Sequence, residues 1–388
     1  MKQIINLLKG IYLNRPSPIS VSVNLTNKCN QHCIYCEIGQ GLVKNKKSPL
    51  LAMDDLKWII DEMNRSGIST LSLGGGEPLL FKEVFDVIKY AHEFGIISSI
   101  LTNGMLLPHF SQDKIELLKE CETAISVSID SFSPDKEEHI RGIKNALPLA
   151  IEGIEILVKH RIPVNIMTTI SAHNYQDLFN VAVNANQLGV NSVVFQPVIF
   201  VSNFPEVEPI TNKKSLNVRP EHLPKIEDQF QRIMDFERNN NIYTNIDVLQ
   251  KWFPYYIQTL SSGKNGAFFF KNIAKQYWCA PLYFTIAVNY YGDILPCNML
   301  KSTKSIMDRD NDNKSLLEMW NNSCQPIRSM IEEGQYPDAC KSCVCGFDFN
   351  VLCSALKHPS NNFNLLSKVV ISNCKRQIRK NRKQNIGD

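Results

Sequence analysis

Six short apolar runs, near residues 19–25, 70–73, 97–101, 123–129, 164–170 and 191–196, alternate with longer segments whose apolar residues recur at helical spacing. The helical segments are Met53 to Arg65, Phe81 to Phe94, Asp113 to Lys119, Asn145 to His160 and Tyr175 to Leu188. Strands separated by helices cannot close into hairpins, so the alternation predicts parallel strands joined by crossovers. A parallel sheet needs both faces covered, and the intervening helices are the available cover. The predicted class is α/β, with a partial (βα)6 TIM-type barrel as the natural closure and any active site at the carboxyl ends of its strands.

Residues suited to chemistry fall at those ends. The first strand leads into Cys29-Asn30-Gln31-His32-Cys33-Ile34-Tyr35-Cys36, three thiols within eight residues. The second ends in Gly74-Gly75-Gly76-Glu77-Pro78, the third in Thr102-Asn103-Gly104, and the fourth contains Ser126-Val127-Ser128-Ile129-Asp130, with Arg141-Gly142 downstream. Three thiolates so close are metal ligands first. They fit a catalytic zinc with an open position, or a structural zinc completed by a residue such as His32. They equally fit a four-iron cluster in which one iron lacks a protein ligand and so can hold a cofactor by its amine and carboxylate. The glycine-glycine-glutamate strand end and its companions favour the cluster, because a zinc site does not require them.

Cys29-x3-Cys33-x2-Cys36 with Tyr35 before the last Cys, Gly75-Gly76-Glu77-Pro78, Thr102-Asn103-Gly104, and Ser126 to Asp130 with Arg141-Gly142 occur in an order that resembles the radical S-adenosylmethionine (SAM) superfamily, over residues 18–200. The resemblance implies a SAM-binding 4Fe-4S cluster on Cys29, Cys33 and Cys36, with Tyr35 beside it. Gly75 and Gly76 would let backbone approach the ligand, and Glu77 would take the methionine amine of SAM. Ser128 and Arg141 would meet the methionine carboxylate and the ribose, a planar guanidinium being suited to a carboxylate. Asn103 and Gln196 would contact ribose or adenine.

A second cysteine group begins at Cys279. Cys279-x12-Gly292-x4-Cys297 is followed by Ser315 to Asn321, by Arg328 and by Cys340-x2-Cys343, with Cys345, Cys353 and Cys374 beyond. This resembles the SPASM auxiliary-cluster domain or its shortened twitch form, a small α+β unit with a β-hairpin turning at Asn289 to Asp293. Cys279, Cys297, Cys340 and Cys343 would hold one auxiliary 4Fe-4S cluster. The longer pattern wants a Cys at position 349, where Phe349 stands, and Cys345 is displaced from it. Cys353 falls at the spacing of the longer pattern, and Cys374 is the candidate for the last ligand of a second site. One auxiliary cluster is therefore expected, with two as the alternative. Cys121 and Cys324 match no pattern and are expected to be buried, apolar in behaviour.

Twelve cysteines in cluster-like spacings fit a reducing, cytoplasmic setting better than a disulfide scaffold. No run is long and apolar enough to span a bilayer; residues 1–17 read as an opening amphipathic segment. Lys375, Arg376, Arg379, Lys380, Arg382 and Lys383 supply six of the 42 basic residues, which accounts for the whole +4 net charge and leaves the body close to neutral. Residues 375–388 thus form a basic tail, and no basic stripe interleaved with aromatics points to nucleic acid.

The domain plan is 1–17, a core at 18–200, a linker or bridging region at 201–278, an auxiliary-cluster domain at 279–374 and the tail. In the bridging region Trp252-Phe253-Pro254-Tyr255-Tyr256 and Phe268-Phe269-Phe270 read either as interdomain packing or as a lid over the barrel mouth. The function implied is reductive cleavage of SAM to a 5'-deoxyadenosyl radical that abstracts hydrogen from a substrate carbon, supported by a low-potential donor such as a flavodoxin or ferredoxin. The auxiliary cluster implies electron removal or substrate anchoring. Two substrate classes stand: a small molecule such as a sugar or cofactor precursor, or a peptide, as in maturation of ribosomally made peptides. Cys29 lies too near the start for a preceding peptide-recognition domain in this sequence, which weighs toward the small molecule. A zinc-stabilised binding module is the non-enzymatic alternative.

Overall fold

A computed structural model of the chain describes residues 15–43, 50–198, 213–261, 279–297, 300, 302, 304–309 and 314–337. Residues 1–14, the stretch Phe268 to Phe270, Cys340, Cys343, Cys345, Cys353, Cys374 and the basic tail lie outside the described residues.

The expected alternation is present. Strands β1 (Ser20–Thr26), β2 (Thr70–Gly75), β3 (Ile97–Thr102), β4 (Ala124–Ser128), β5 (Val164–Ile170) and β6 (Ser192–Pro197) are interleaved with helices α1 (Met53–Ser66), α2 (Val84–Glu93), α3 (Gln112–Glu120), α4 (Pro134–Arg141), α5 (Ala146–Lys159) and α6 (Leu178–Gln187). Helix α4 is absent from the sequence expectation. Six of its eight residues are charged or His, so it lacks the apolar stripe that marks the other helices. It forms because Pro134 sits in its first turn, acids lie in that turn and His139 and Arg141 lie in the last, where they suit the helix dipole.

Neighbouring strands in the order β6-β5-β4-β3-β2-β1 all pair in parallel. One face is apolar and buried, with Val21, Val23, Leu71, Leu73, Ile125, Val127 and Ile166 at most 1% exposed. The opposite face is polar and half-buried, with in-register rows Ser22–Ser72–Ser99 and Ser126–Asn165–Ser192. Apolar packing thus covers one face only, where two covered faces were expected. Small hydroxyl and amide side chains leave the inner face of the open barrel accessible to polar ligands.

The sheet runs past six strands at both edges. After α7 (Lys213–Leu216) and α8 (Leu223–Asn239) comes β7 (Tyr243–Thr244), which pairs in parallel with β6 and leads into α9 (Ile246–Ser261). At the other edge, a one-turn helix α10 (Pro281–Phe284) delivers β8 (Thr285–Val288), which pairs in parallel with β1 from Ser20↔Thr285 to Val23↔Val288. Strand β9 (Ile294–Leu295) then returns antiparallel to β8 around the hairpin turn expected at Asn289 to Asp293. The segment after Cys279 is therefore joined to the core through main-chain hydrogen bonds.

Helix α11 (Leu316–Glu332) opens with a capping box between Ser315 and Glu318 and packs on the same edge. Leu316 N donates to Glu62 on α1 at 2.8 Å, and Arg309 pairs with Asp55 at 2.7 Å. The Arg328 guanidinium, buried over Trp320, donates twice to Leu282 O, tying α11 to α10. Cys121 and Cys324 are buried at 5% and 0% exposure, as expected of small apolar residues. Among the described residues no helix is long and apolar enough to cross a membrane.

Candidate active site

Strand β1 ends at Thr26, and the loop beyond it carries the three thiols. Its conformation is held from two sides. From the end of β2, Gly76 N donates to Thr26 O at 2.7 Å and Glu77 N to Lys28 O at 2.8 Å. From the end of α4, Arg141 O and Ile140 O accept from His32 N and Ile34 N at 2.9 and 3.0 Å. The Gln40 amide braces the loop internally, donating to His32 O and Cys33 O.

This bracing explains two glycines. A Cβ on Gly76 would lie 2.1 Å from Lys28 O, and one on Gly142, whose φ is +66°, would lie 2.4 Å from His32 O. The close approach at Gly76 is thus to the cysteine loop itself, and so is that of Gly75, whose Cβ would lie 2.6 Å from Thr26 O. At both glycines the missing Cβ lets the end of β2 pack against the end of β1 and the loop after it.

Cys29 and Cys36 are half-buried and Cys33 is buried. Burial raises the pKa of all three thiols, Cys33 up to about 12 against the opposing pull of Arg141. Cys33 also feels Cys36, and Cys36 feels Cys29, so the three sulfurs lie within electrostatic reach of one another. Among the described residues no three His, Cys, Asp or Glu side chains close on a single ion. A lone zinc would need its sulfurs at about 2.3 Å; a multi-iron cluster takes them further apart. Soft thiols on a braced loop fit such a cluster, whose binding displaces their protons.

Glu77 is 1% exposed. Its Oε1 accepts from Thr102 Oγ1 at 2.7 Å and Leu79 N at 3.1 Å, and its Oε2 from Asn103 N at 2.8 Å. All three donors are neutral, and among the described residues Glu77 has no cation within ion-pair distance. Burial raises its pKa despite these hydrogen bonds. A buried, oriented carboxylate without a counter-ion fits an ammonium ligand.

The remaining expected residues divide into two kinds. Ser128, at the end of β4, and Gln196, exposed at the end of β6, carry no side-chain hydrogen bond among the described residues and are available to a ligand. Asn103 is engaged: its amide donates to Asn30 Oδ1 at 2.6 Å and lies 3.9 Å from Cys29 Sγ, while its oxygen accepts from Met105 N.

Arg141 is more deeply committed. Its side chain is 5% exposed, with Nε 3.0 Å from Glu137 Oε1, Nη2 2.9 Å from Asp130 Oδ2 and Nη1 3.9 Å from Cys33 Sγ. The Nη2 to Asp130 contact is an ion pair out of hydrogen-bonding alignment, leaving that N–H without a hydrogen-bond partner among the described residues. The Tyr35 hydroxyl donates to Asp130 Oδ2. Burial opposes the Arg141 charge, but Asp130, Tyr35, Glu137 and Cys33 outweigh it and keep the guanidinium ionised. Burial pushes Glu137 up to about 7, with Asp130 adding to the rise and Arg141 opposing it.

Asp130 and Glu137 do not stand out as site residues from sequence alone. The available signal was the four-residue spacing of Glu137 and Arg141 on one helix face, which required recognising α4. Cys279 precedes α10 and Cys297 follows β9, both half-buried; their expected partners lie outside the described residues. The aromatic run for which the sequence also allows a lid is core: Trp252, Phe253 and Tyr256 are at most 4% exposed, Phe253 packs edge-on against Phe230 of α8, and only Tyr255 faces water.

Parallel strands with a triple-thiol loop after β1 and a buried carboxylate after β2 define a cofactor-binding α/β protein with its site at the carboxyl end of the sheet. Residues 23–185 match the radical SAM superfamily model. It is 31% identical over 174 residues to an AdoMet-dependent heme synthase of Methanosarcina barkeri, covering 45% of this chain and 48% of that protein. It is 29% identical over 153 residues to a probable GTP 3',8-cyclase of Thermococcus kodakarensis, covering 39% and 47%. The chain thus spans about half the length of these curated relatives.

The fold is similar over a longer stretch to the crystal structure of Streptococcus suis SuiB bound to S-adenosylmethionine, at TM-score 0.60 and 15% identity, covering 85% of this chain and 71% of that one. It is also similar to anSMEcpe with bound AdoMet, at TM-score 0.58 and 16% identity, covering 87% and 89%.

Proposed function

We propose that this chain is a radical SAM enzyme that binds SAM at the carboxyl end of its sheet. The observation that carries the proposal is the buried Glu77 carboxylate, fixed by three neutral donors, on the same braced unit as Cys29, Cys33 and Cys36. These thiols would hold a 4Fe-4S cluster. Such a cluster, when reduced with SAM bound, supplies reductive cleavage of the sulfonium to methionine and a 5'-deoxyadenosyl radical.

The chain's own groups would then bind and orient. Glu77 receives the methionine ammonium, offsetting its own buried charge. Ser128 and Gln196 offer uncommitted polar groups on either side of β5 to the carboxylate, ribose or adenine, and Asn103 fixes the loop between them and Cys29. Arg141, whose Nη2 N–H is not hydrogen-bonded among the described residues, is the further candidate for the carboxylate or ribose. An auxiliary cluster on Cys279, Cys297, Cys340 and Cys343, a low-potential flavodoxin or ferredoxin donor, and a small-molecule substrate complete the reading. A peptide substrate is the second reading, favoured by fold likeness to SuiB, which has been solved with its precursor peptide SuiA.

Equilibrium dialysis of the iron-loaded protein tests the Glu77 assignment. Glu77→Gln is expected to lose SAM affinity at least tenfold while affinity for 5'-methylthioadenosine, which lacks the amino-acid group, stays within twofold. Equal loss for both ligands, or for neither, rejects it.

A further inference from the structure

Beyond holding the cysteine loop in place, the charges around Arg141 bear directly on a thiol ligand. We propose that Asp130 and Glu137 lower the reduction potential of the cluster held by Cys29, Cys33 and Cys36, by offsetting the Arg141 guanidinium that lies against Cys33. This rests on the radical SAM reading above.

Adding an electron to a cluster adds negative charge beside its ligands. A buried guanidinium 3.9 Å from Cys33 Sγ stabilises that charge and makes the cluster easier to reduce. Two carboxylates on the same guanidinium reverse the local balance, so that the group as a whole carries one surplus negative charge when both are ionised.

The surplus is fixed in place by backbone. Glu137 Oε2 accepts from Asp130 N at 3.0 Å and Ser131 N at 2.8 Å. Asp130 Oδ1 accepts from Thr169 N at 2.7 Å, its Oδ2 takes the Tyr35 hydroxyl, and its carbonyl accepts from Asn174 Nδ2 at 2.9 Å. Three strand ends and a helix therefore converge on one charge cluster, and Asp130, Glu137 and Arg141 are all at most 4% exposed. A helix-surface Glu–Arg pair would need none of this anchoring, and solvent would screen it. Buried as they are, these charges act on the thiol in a medium of low dielectric. Asp130, Glu137 and Arg141 are positioning residues in this account, acting through Cys33.

The test is an EPR-monitored potential titration of the full-length reconstituted protein at pH 8.5, with the cluster signal assigned by its loss in Cys29→Ala/Cys33→Ala/Cys36→Ala. Glu137→Gln is expected to make the midpoint less negative by at least a tenfold change in the reduction equilibrium, 59 mV for one electron. Arg141→Gln should shift it to more negative values, and the double variant should return toward wild type. A purely structural role predicts no such opposition of sign. Equal midpoints at equal iron content, or shifts of one sign in both single variants, overturn the proposal. Should Glu137→Gln bind no iron, Tyr35→Phe replaces it: losing the hydroxyl donor concentrates charge on Asp130, so the midpoint must become more negative, and any other result is contrary. A wild-type protein that forms no SAM-cleaving cluster overturns the functional reading and this inference together, whereas one that cleaves SAM with unmoved variant midpoints overturns the inference alone.

Discussion

Replacing Gly76 by Ala isolates the packing of the cysteine loop from any ligand. The new Cβ would sit 2.1 Å from Lys28 O and 2.7 Å from its carbonyl carbon, both backbone atoms that no rotamer change can move. Relief requires β2 and the loop after β1 to separate, which stretches Gly76 N to Thr26 O and Glu77 N to Lys28 O, at 2.7 and 2.8 Å. Overpacking costs about 1–3 kcal/mol and each weakened hydrogen bond up to about 1 kcal/mol, so a loss of about 2–4 kcal/mol is expected. For a chain of 388 residues a loss of about 2 kcal/mol lowers the melting temperature by about 2–3 °C, and a larger loss lowers it more. Gly74→Ala is the control, because its Cβ would meet only Asn24 Oδ1 at 3.7 Å, an ordinary contact. Thermal unfolding of the metal-free protein reads the difference, and iron content after reconstitution reads its effect on the loop. Similar melting temperatures for the two variants would refute the reasoning, since it rests on the difference in contact distance between residues two apart on one strand end.

Burial leads to two further outcomes. Trp252→Ala removes an indole that is 4% exposed, so it should cost about 3–5 kcal/mol in urea unfolding and lower any activity only in proportion to folded protein; a loss of substrate coupling at unchanged stability would restore the lid reading. Burial raises the pKa of Glu237 despite two hydrogen bonds from Thr244, so its folded value lies above its unfolded one. The stability this group contributes is fully present below the unfolded value and is lost as pH rises through the folded one. Relative to Glu237→Gln, the wild type should therefore melt progressively lower as pH is raised from about 4 to 8, and a difference that grows in the opposite direction contradicts the assignment.

Strands β1 to β6 were legible to within one or two residues because each has one apolar buried face, which writes an alternating pattern into the sequence. The carboxyl-end motifs were legible for the same reason, since a strand end fixes the position of the loop after it. Helix α4 was not, because its stability lies in its ends and in the Glu137–Arg141 pair. Nor was the parallel pairing of β8 with β1, because Ser20 and Thr285 are brought together by topology and neither residue signals the other. The commitment of Arg141 to Asp130 and Glu137 was hidden likewise: a sequence shows an arginine suited to a carboxylate without showing which carboxylate the fold supplies. Trp252 and Tyr256 show the converse, since an aromatic run reads the same whether it closes a site or joins the buried core.

The central claim is that Cys29, Cys33 and Cys36 hold a cluster that cleaves SAM. It is tested most directly by 5'-deoxyadenosine formed from SAM under dithionite in anoxic buffer, measured beside iron content. The wild type should form it, and Cys29→Ala/Cys33→Ala/Cys36→Ala should form none while losing about four irons and keeping those of the auxiliary site. Formation of 5'-deoxyadenosine by the triple variant at the wild-type rate would contradict the account.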